Sequence, residues 1–296
     1  MRLRSAALAL LPVLALTACS SGGTATADGP TVKHAMGSTQ VPASPKRVVV
    51  LDTDKLDTMV TLGLTPVGAA QAAENQKWPA YLGSSLDATK AVGTLQAPNL
   101  EAIMALKPDL ILGTKFRQAA FYDKLSKIAP TVFTEKVGIT WKENFLLDAE
   151  ALGKKGEATK LLADYEARAK TIKTTKKASI VRFMPTEIRM YGPESFSGIV
   201  LGDAGVPRPE AQLLANQEDK RFGKLSAENL ALADGDVLFY SAYGKAAEES
   251  QAAVTAGPLW QNLKAVKHNV DDEVWMLGIG VTAAGKILDD LQKHLA

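Results

Sequence analysis

The side chains in this sequence that could act chemically are cations and aromatics, and none of the usual reactive sets accompanies them. Its three histidines, His34, His268 and His294, are scattered without a partner at metal-ligand spacing. No Gly-x-Ser-x-Gly elbow and no Gly-x-x-x-x-Gly-Lys phosphate loop occurs. Gly278-Ile-Gly280 lacks the third glycine of a dinucleotide fingerprint and lies too near the carboxyl terminus for a complete βαβ unit. The sequence therefore predicts no catalytic residue, no metal site and no intrinsic cofactor. What remains is non-covalent chemistry. Lys115, Phe116 and Arg117 follow an apolar run that ends at Leu112, and Tyr240 and Tyr243 follow one that ends near Leu238. Arg189 and Tyr191 are two apart on a predicted strand, so they share one face. Phe196 follows in a loop, and Trp275 stands near the end of the last apolar run. Cations and aromatic faces gathered in this way suit a cleft for a bulky ligand with oxygen acceptors and apolar linkers.

Such residues need a scaffold that brings strand ends together, and the apolar pattern supplies one. Arg47-Val-Val-Val-Leu51 reads as a buried strand, Asp52 to Gly63 as a helix closed by glycine, and Leu64 to Gly68 as a further strand. A helix near Gln118–Ile128 and a strand Pro130–Phe133 complete the first half. Alternating short strands and helices predict an α/β fold with a parallel sheet, in which ligands collect outside the carboxyl ends of the strands. From Thr140 to Lys177 no strand signal appears. Leu161, Leu162, Tyr165, Ala169 and Ile172 keep helical spacing, and a helix over 156–176 would span about 30 Å at 1.5 Å per residue, enough to bridge two lobes. The α/β pattern then resumes with Ser179–Phe183, Ile188–Tyr191, a helix near Gly198–Ala204 and Val274–Leu277. It ends in an amphipathic helix, Ala283–Leu295.

Two stretches 127 residues apart follow one template. Asn99, Glu101, Ile103 and Asp109 in the first correspond to Ser226, Glu228, Leu230 and Asp236 in the second, and an apolar strand follows each Asp. Asn and Ser cap helices, and a carboxylate in the first turn is favoured by the helix dipole. The repetition predicts two related lobes, each showing a Glu at the same place.

The amino terminus is separate from this body. Arg2 and Arg4 precede an apolar run, Ala6–Leu16, too short to span a bilayer, which reads as an export signal. Cys19 is the only cysteine, so no disulfide forms within the chain. Leu16-Thr17-Ala18-Cys19 resembles the bacterial lipobox, which implies cleavage before Cys19 and attachment of lipid to it. Ser20–Gly29 is small and polar, as a flexible tether would be. Removing residues 1–18 lowers 34 basic residues to 32, equal to the 32 acidic ones. A neutral exported chain disfavours nucleic acid as a partner. The expected organisation is a signal peptide (1–18), a tether (19–44), an amino-terminal lobe (45–139), a helical connector (140–177) and a carboxy-terminal lobe (178–296).

The lipobox, Pro98-Asn-Leu-Glu101 through Lys107-Pro-Asp109-Leu-Ile-Leu112, Arg189-Met-Tyr191-Gly-Pro-Glu-Ser-Phe196, Gly205-Val-Pro-Arg208-Pro209, Leu225-Ser-Ala-Glu228, and Val274-Trp275 through Leu291 act together. With them the sequence resembles the iron–siderophore and cobalamin substrate-binding proteins of ABC importers, over about residues 45–296. The resemblance implies two Rossmann-like lobes joined by a single long helix, with the ligand in the cleft between them. It also implies a monomeric, lipid-anchored receptor on the outer side of the cell membrane, whose iron arrives inside the bound siderophore. Glu101 and Glu228 would meet arginines of the permease, which an ATPase drives. Arg189, Tyr191 and Trp275 sit at positions similar to those of siderophore binders, whereas Arg117, Phe116, Phe196, Tyr240 and Tyr243 rest on strand-end placement. One or two cleft arginines suit a neutral or weakly positive ferric hydroxamate better than a highly anionic tris-catecholate. Citrate-type or catecholate siderophores come next, and haem or cobalamin last. A ligand-sensing lipoprotein signalling through a membrane partner is the alternative in another class, and an enzyme on this fold would need a nucleophile–base pair that the sequence lacks.

Overall fold

The computed structural model describes residues 28–295; the export signal, Cys19 and the first part of the tether lie outside them. A hairpin of β1 (Thr31–His34) and β2 (Gly37–Gln40) leads into the first lobe. That lobe contains β3 (Val48–Val50), α1 (Thr53–Thr61), β4 (Gly68–Gln71), β5 (Lys90–Thr94) and α2 (Leu100–Ala105). It continues through β6 (Leu110–Thr114), α3 (Lys115–Gln118), α4 (Tyr122–Leu125) and β7 (Thr131–Thr134). Its sheet has the order β5-β4-β3-β6-β7, parallel throughout. β3, β6 and β7 are buried at every position, as strands covered on both faces must be.

Two helices then carry the chain across, α5 (Trp141–Ala151) and α6 (Lys155–Ala169), with Gly153 between them at φ +69°. The crossing helix is shorter than its apolar spacing predicts. Its 15 residues span about 22 Å, and Gly156 lies inside it rather than before it. Thr171-Ile172 and Thr174-Thr175 follow its end, and β-branched residues extend a helix poorly.

The second lobe contains β8 (Ala178–Phe183), β9 (Ile188–Tyr191), α7 (Phe196–Asp203), β10 (Phe222–Leu225) and β11 (Val237–Ala242). It ends with α8 (Lys245–Ala256), α9 (Pro258–Gln261), β12 (Val266–Asn269) and α10 (Val281–Leu295). The sheet order is β10-β9-β8-β11-β12, with β8, β11 and β12 parallel and β9 antiparallel to both of its neighbours. Val274–Leu277, expected as the last strand, lies in a π-helical turn, Glu273–Leu277, and β12 takes the strand position instead. A four-residue apolar run does not distinguish strand from helix.

The repeated template has a structural reason beyond helix capping. The Asp109 N–H donates to the Arg47 carbonyl, and the Asp109 carboxylate accepts from the Lys46 and Arg47 N–H groups at 2.7 and 2.9 Å. The Asp236 N–H likewise donates to the Lys177 carbonyl, and its carboxylate accepts from the Lys177 N–H at 2.6 Å. Each Asp thus pins the start of a central strand, β3 or β8, beside the strand that the template launches. The helices differ. Asn99 accepts from the Ala102 N–H and starts an α-helix, whereas Ser226 makes no side-chain cap and Ala227–Ala233 is 3₁₀.

One hydrophobic core runs through both lobes, from Val50, Met59 and Leu112 through Trp141, Phe145 and Leu162 to Ile180, Phe239 and Trp275. α10 belongs to the second lobe in sequence but packs on α1 of the first as well as on α6 and α7. Buried Asp57 of α1 accepts from the Thr282 and Ala283 N–H groups at the start of α10, both at 3.1 Å. The hydroxyls of Thr61 and Tyr81 donate to the same carboxylate. Gly280 passes so close that a Cβ there would fall 2.2 Å from an Asp57 oxygen. An acceptor from one lobe thus satisfies the free donors of a helix end from the other.

Candidate ligand-binding cleft

The carboxyl ends of both parallel sets face a cleft with two chambers. The larger, about 710 Å³, has Ala73 and Gln76 on the first lobe and Tyr243, Glu248, Gln251 and Asn269–Glu273 on the second. The smaller, about 270 Å³, sets Phe116, Lys136, Val137 and Ile139 against Glu194, Asp219 and Arg221.

The second sheet carries a row of cations fixed by strand register. β9 alternates buried Ile188 and Met190 with half-buried Arg189 and Tyr191, so those two share a face as the spacing predicts. Arg189 stands opposite Arg182 on β8 and opposite Lys224 on β10. Like charges directly across strands repel, and carboxylates offset the repulsion here. Asp272 takes Arg182 through both oxygens at 2.7 and 2.5 Å and accepts from the Ser241 hydroxyl. Glu187 takes Arg189 at 2.5 Å and Lys224 at 2.9 Å, and these contacts hold its carboxyl below the ordinary range. Aromatic faces cover the guanidiniums. Arg189 lies 4.2 Å from the Phe222 ring centroid, and Arg182 lies 4.8 Å from that of Tyr243. Tyr191 links the row to its aromatic cover, since its hydroxyl meets Arg182 and its ring lies against Phe222, next in the chain to Arg221.

Of the expected ligand residues, Tyr243 lines the larger chamber and Phe116, 61% exposed, lines the smaller, while Arg189 and Tyr191 stand half-buried on the sheet face that carries Arg182. Arg117, next to Phe116, is engaged, its Nη1 lying 2.5 and 2.6 Å from the two oxygens of buried Asp52. Three expected ligand residues lie elsewhere. Trp275 is wholly buried, stacked on Phe239, with its indole N–H donating to Asp290. Phe196 packs its ring on Trp141 in the core. Tyr240 lies on the other face of the sheet, against Trp260 and Phe183. An aromatic near a strand end reads the same whether it lines a cleft or fills a core, and these three fill cores. Arg182, Asp272, Arg221 and Phe222 were the cleft residues less legible in sequence. Arg182 had a usable signal, because a hairpin through Met184–Glu187 pairs Phe183 with Ile188 and hence Arg182 with Arg189.

Glu101 and Glu228 are both exposed on the surface. His268 and His294, distant in sequence, stack with ring centroids 3.7 Å apart, but no metal-binding cluster of acidic, histidine or cysteine residues occurs among the described residues. No described helix is long and apolar enough to cross a membrane.

Two α/β lobes that share a core and face each other across a polar, aromatic-lined cleft define a ligand-binding protein of the two-lobed kind. The chain belongs to the periplasmic binding protein family, whose pattern it matches over residues 48–270. It is 40% identical to a probable siderophore-binding lipoprotein of Bacillus subtilis, YfiY, over 96% of this chain and 95% of that one. It is 31% identical to the Fe(3+)-citrate-binding protein YfmC of the same organism, over 97% and 94%. The crystal structure of Staphylococcus aureus SirA complexed with staphyloferrin B superposes with a TM-score of 0.77 at 34% identity, covering 89% of this chain and 97% of that one.

Proposed function

We propose that this protein is a lipid-anchored receptor on the outer side of the cell membrane that captures a ferric siderophore and delivers it to an ABC permease. The row of Arg182, Arg189 and Lys224, flanked by Tyr191, Phe222 and Tyr243 at the lobe interface, carries the reading. Guanidinium N–H groups and the Tyr191 hydroxyl donate to the oxygens of the ferric chelate, while aromatic faces cover its apolar linkers. Binding and release make up the whole cycle, with no bond made or broken. Cys19 holds the lipid and the chain acts as a monomer; residues 31–40, expected in the tether, form the β1–β2 hairpin instead, with Val32 and Val41 buried in the core. Glu101 and Glu228, one on each lobe, engage the permease, and its grip opens the cleft.

The charge pattern favours a neutral or weakly positive ferric hydroxamate. Lys115, Arg117, Arg182, Arg189, Lys224 and Arg221 each already hold a carboxylate, which leaves little uncompensated positive charge for a tris-catecholate. A citrate-type chelate is the second reading, favoured by the relative named for Fe(3+)-citrate. Titration of the mature protein against iron-loaded and metal-free siderophores, followed by Trp and Tyr fluorescence, tests this. Quenching by a ferric hydroxamate is expected, and Arg189→Ala should weaken it by about one to two decades, the worth of a charge-assisted hydrogen bond. Silence towards every siderophore with a response to haem or cobalamin would overturn the reading.

A further inference from the structure

The larger chamber has the opposite chemistry to the cation row beside it. Glu248, Asp271, Asp272 and Glu273 line it, and no Lys or Arg does. Two of these carboxylates are committed, Asp272 to Arg182 and Glu273 to the Ala80 N–H. Asp271 is exposed and takes the Glu273 N–H through one oxygen, which leaves the other available. The carboxylate of Glu248, exposed in the first turn of α8, makes no hydrogen bond or ion pair among the described residues. One turn further along α8, the Gln251 side-chain oxygen is buried in the lining without a partner. A buried acceptor left unmade costs free energy, so this oxygen marks a place for a donor. The Tyr243 ring, already against one guanidinium, adds a face that favours positive charge.

Donors therefore gather along the row of Arg182, Arg189 and Lys224, and acceptors line this chamber. The group that matches carboxylates, an amide oxygen and a π-face together is a primary ammonium, a compact cation with three donors. At about 710 Å³ the chamber holds far more than an ion and has room for the alkyl arm that would carry such a group. We infer that the ferric ligand of this protein carries a protonated primary amine on an arm, and that the chamber lined by Glu248, Asp271 and Gln251 receives it. This rests on the siderophore reading above and narrows it to cationic chelates.

Iron-loaded ferrioxamine B, which ends in a free amine, and its N-acetylated form differ only at that group. Fluorescence or calorimetric titration at low salt should show the free amine binding about tenfold more tightly, a charge-assisted contact's worth. In the shape-preserving double variant Glu248→Gln/Asp271→Asn the gap should shrink to about twofold or less, since neutral amides hold an ammonium weakly. Equal affinity for the two forms in the unmodified protein overturns the inference, as does a gap that survives in the double variant. If neither form binds while ferric citrate does, the amine arm is wrong and the siderophore reading stands. If no ferric chelate binds, the siderophore reading falls as well.

Discussion

The two lobes share a template yet keep their charges in different places. In the amino-terminal lobe the ionic groups are inside. Lys55 is fully buried, 2.9 Å from both Asp54 and Asp148, with Thr134 as a further acceptor, and Asn144 donates to Asp54. In the carboxy-terminal lobe they face the cleft, where Lys224 is 78% exposed and Arg221 and Asp219 are nearly half exposed. A buried network is costly to dismantle and fixes one arrangement, whereas water-exposed pairs exchange partners at little cost. The first lobe is thus built as a rigid platform tied to α5, and the second keeps a charged surface whose pairs can rearrange. On these unequal lobes Glu101 and Glu228 are both exposed, the pair proposed to engage a permease.

The largest effect should come from breaking that pair. Replacing Glu101 or Glu228 with Arg should cut iron uptake by cells about tenfold or more, because losing one of two linked contacts removes the gain from simultaneous engagement. Siderophore affinity should not change, and the fold should lose only the ~0.3–1 kcal/mol that a first-turn carboxylate contributes. Normal uptake by the double variant would reduce both residues to helix starts.

Acid should separate the lobes next. Burial raises the carboxyls of Asp54, Asp57 and Asp148, the last to about 7. Groups raised on folding add stability as pH falls from 7 towards 4, because the folded state takes up the proton first. Glu187, Asp219 and Asp234 are shifted the other way, the first two chiefly by hydrogen bonds from Lys224 and Arg221; for Asp234 burial opposes the shift but backbone N–H groups of Lys264 and Ala265 prevail. Their contribution is present above the ordinary carboxyl range and is lost as pH drops through their lowered values. Hydrogen exchange should therefore show the first lobe more protected at pH ~4 than at pH ~7, with β9 and β10 opening first below that. Asp148→Asn should flatten the first lobe's dependence, and an unchanged slope would place the proton elsewhere.

The smallest effect probes the template itself. Asp109 takes two backbone N–H groups and Asp236 takes one from a more exposed position. Asp109→Ala should cost about 2 kcal/mol in urea unfolding and Asp236→Ala about 1. Equal losses would mean that the two units bear equal loads after all.

The lobes, the repeated unit and the terminal helix were legible because each rests on local spacing. The wiring of α1 was not. Asp52-Thr-Asp54-Lys55-Leu-Asp57 reads as a solvated helix start, yet all four charged residues are buried. Besides nearby ones, they have partners 62 to 226 positions away, among them Thr114, Thr134, Asn144 and Ala283, beyond the reach of any periodicity. The same limit misplaced Trp275, Phe196 and Tyr240, since the burial of an aromatic depends on what folds against it.

The carboxylate of Asp57 also imposes an order on biosynthesis. It is made early, and the backbone donors that it needs follow 225 and 226 residues later. A chain emerging amino end first can complete its first sheet and its crossing helices while this acceptor still waits for them. The 15-residue helix α10 supplies them, so this link between the two halves forms only after α10 has been made. Until then the Asp57 carboxylate has only Thr61 and Tyr81 as donors, a buried acceptor short of two of its four partners.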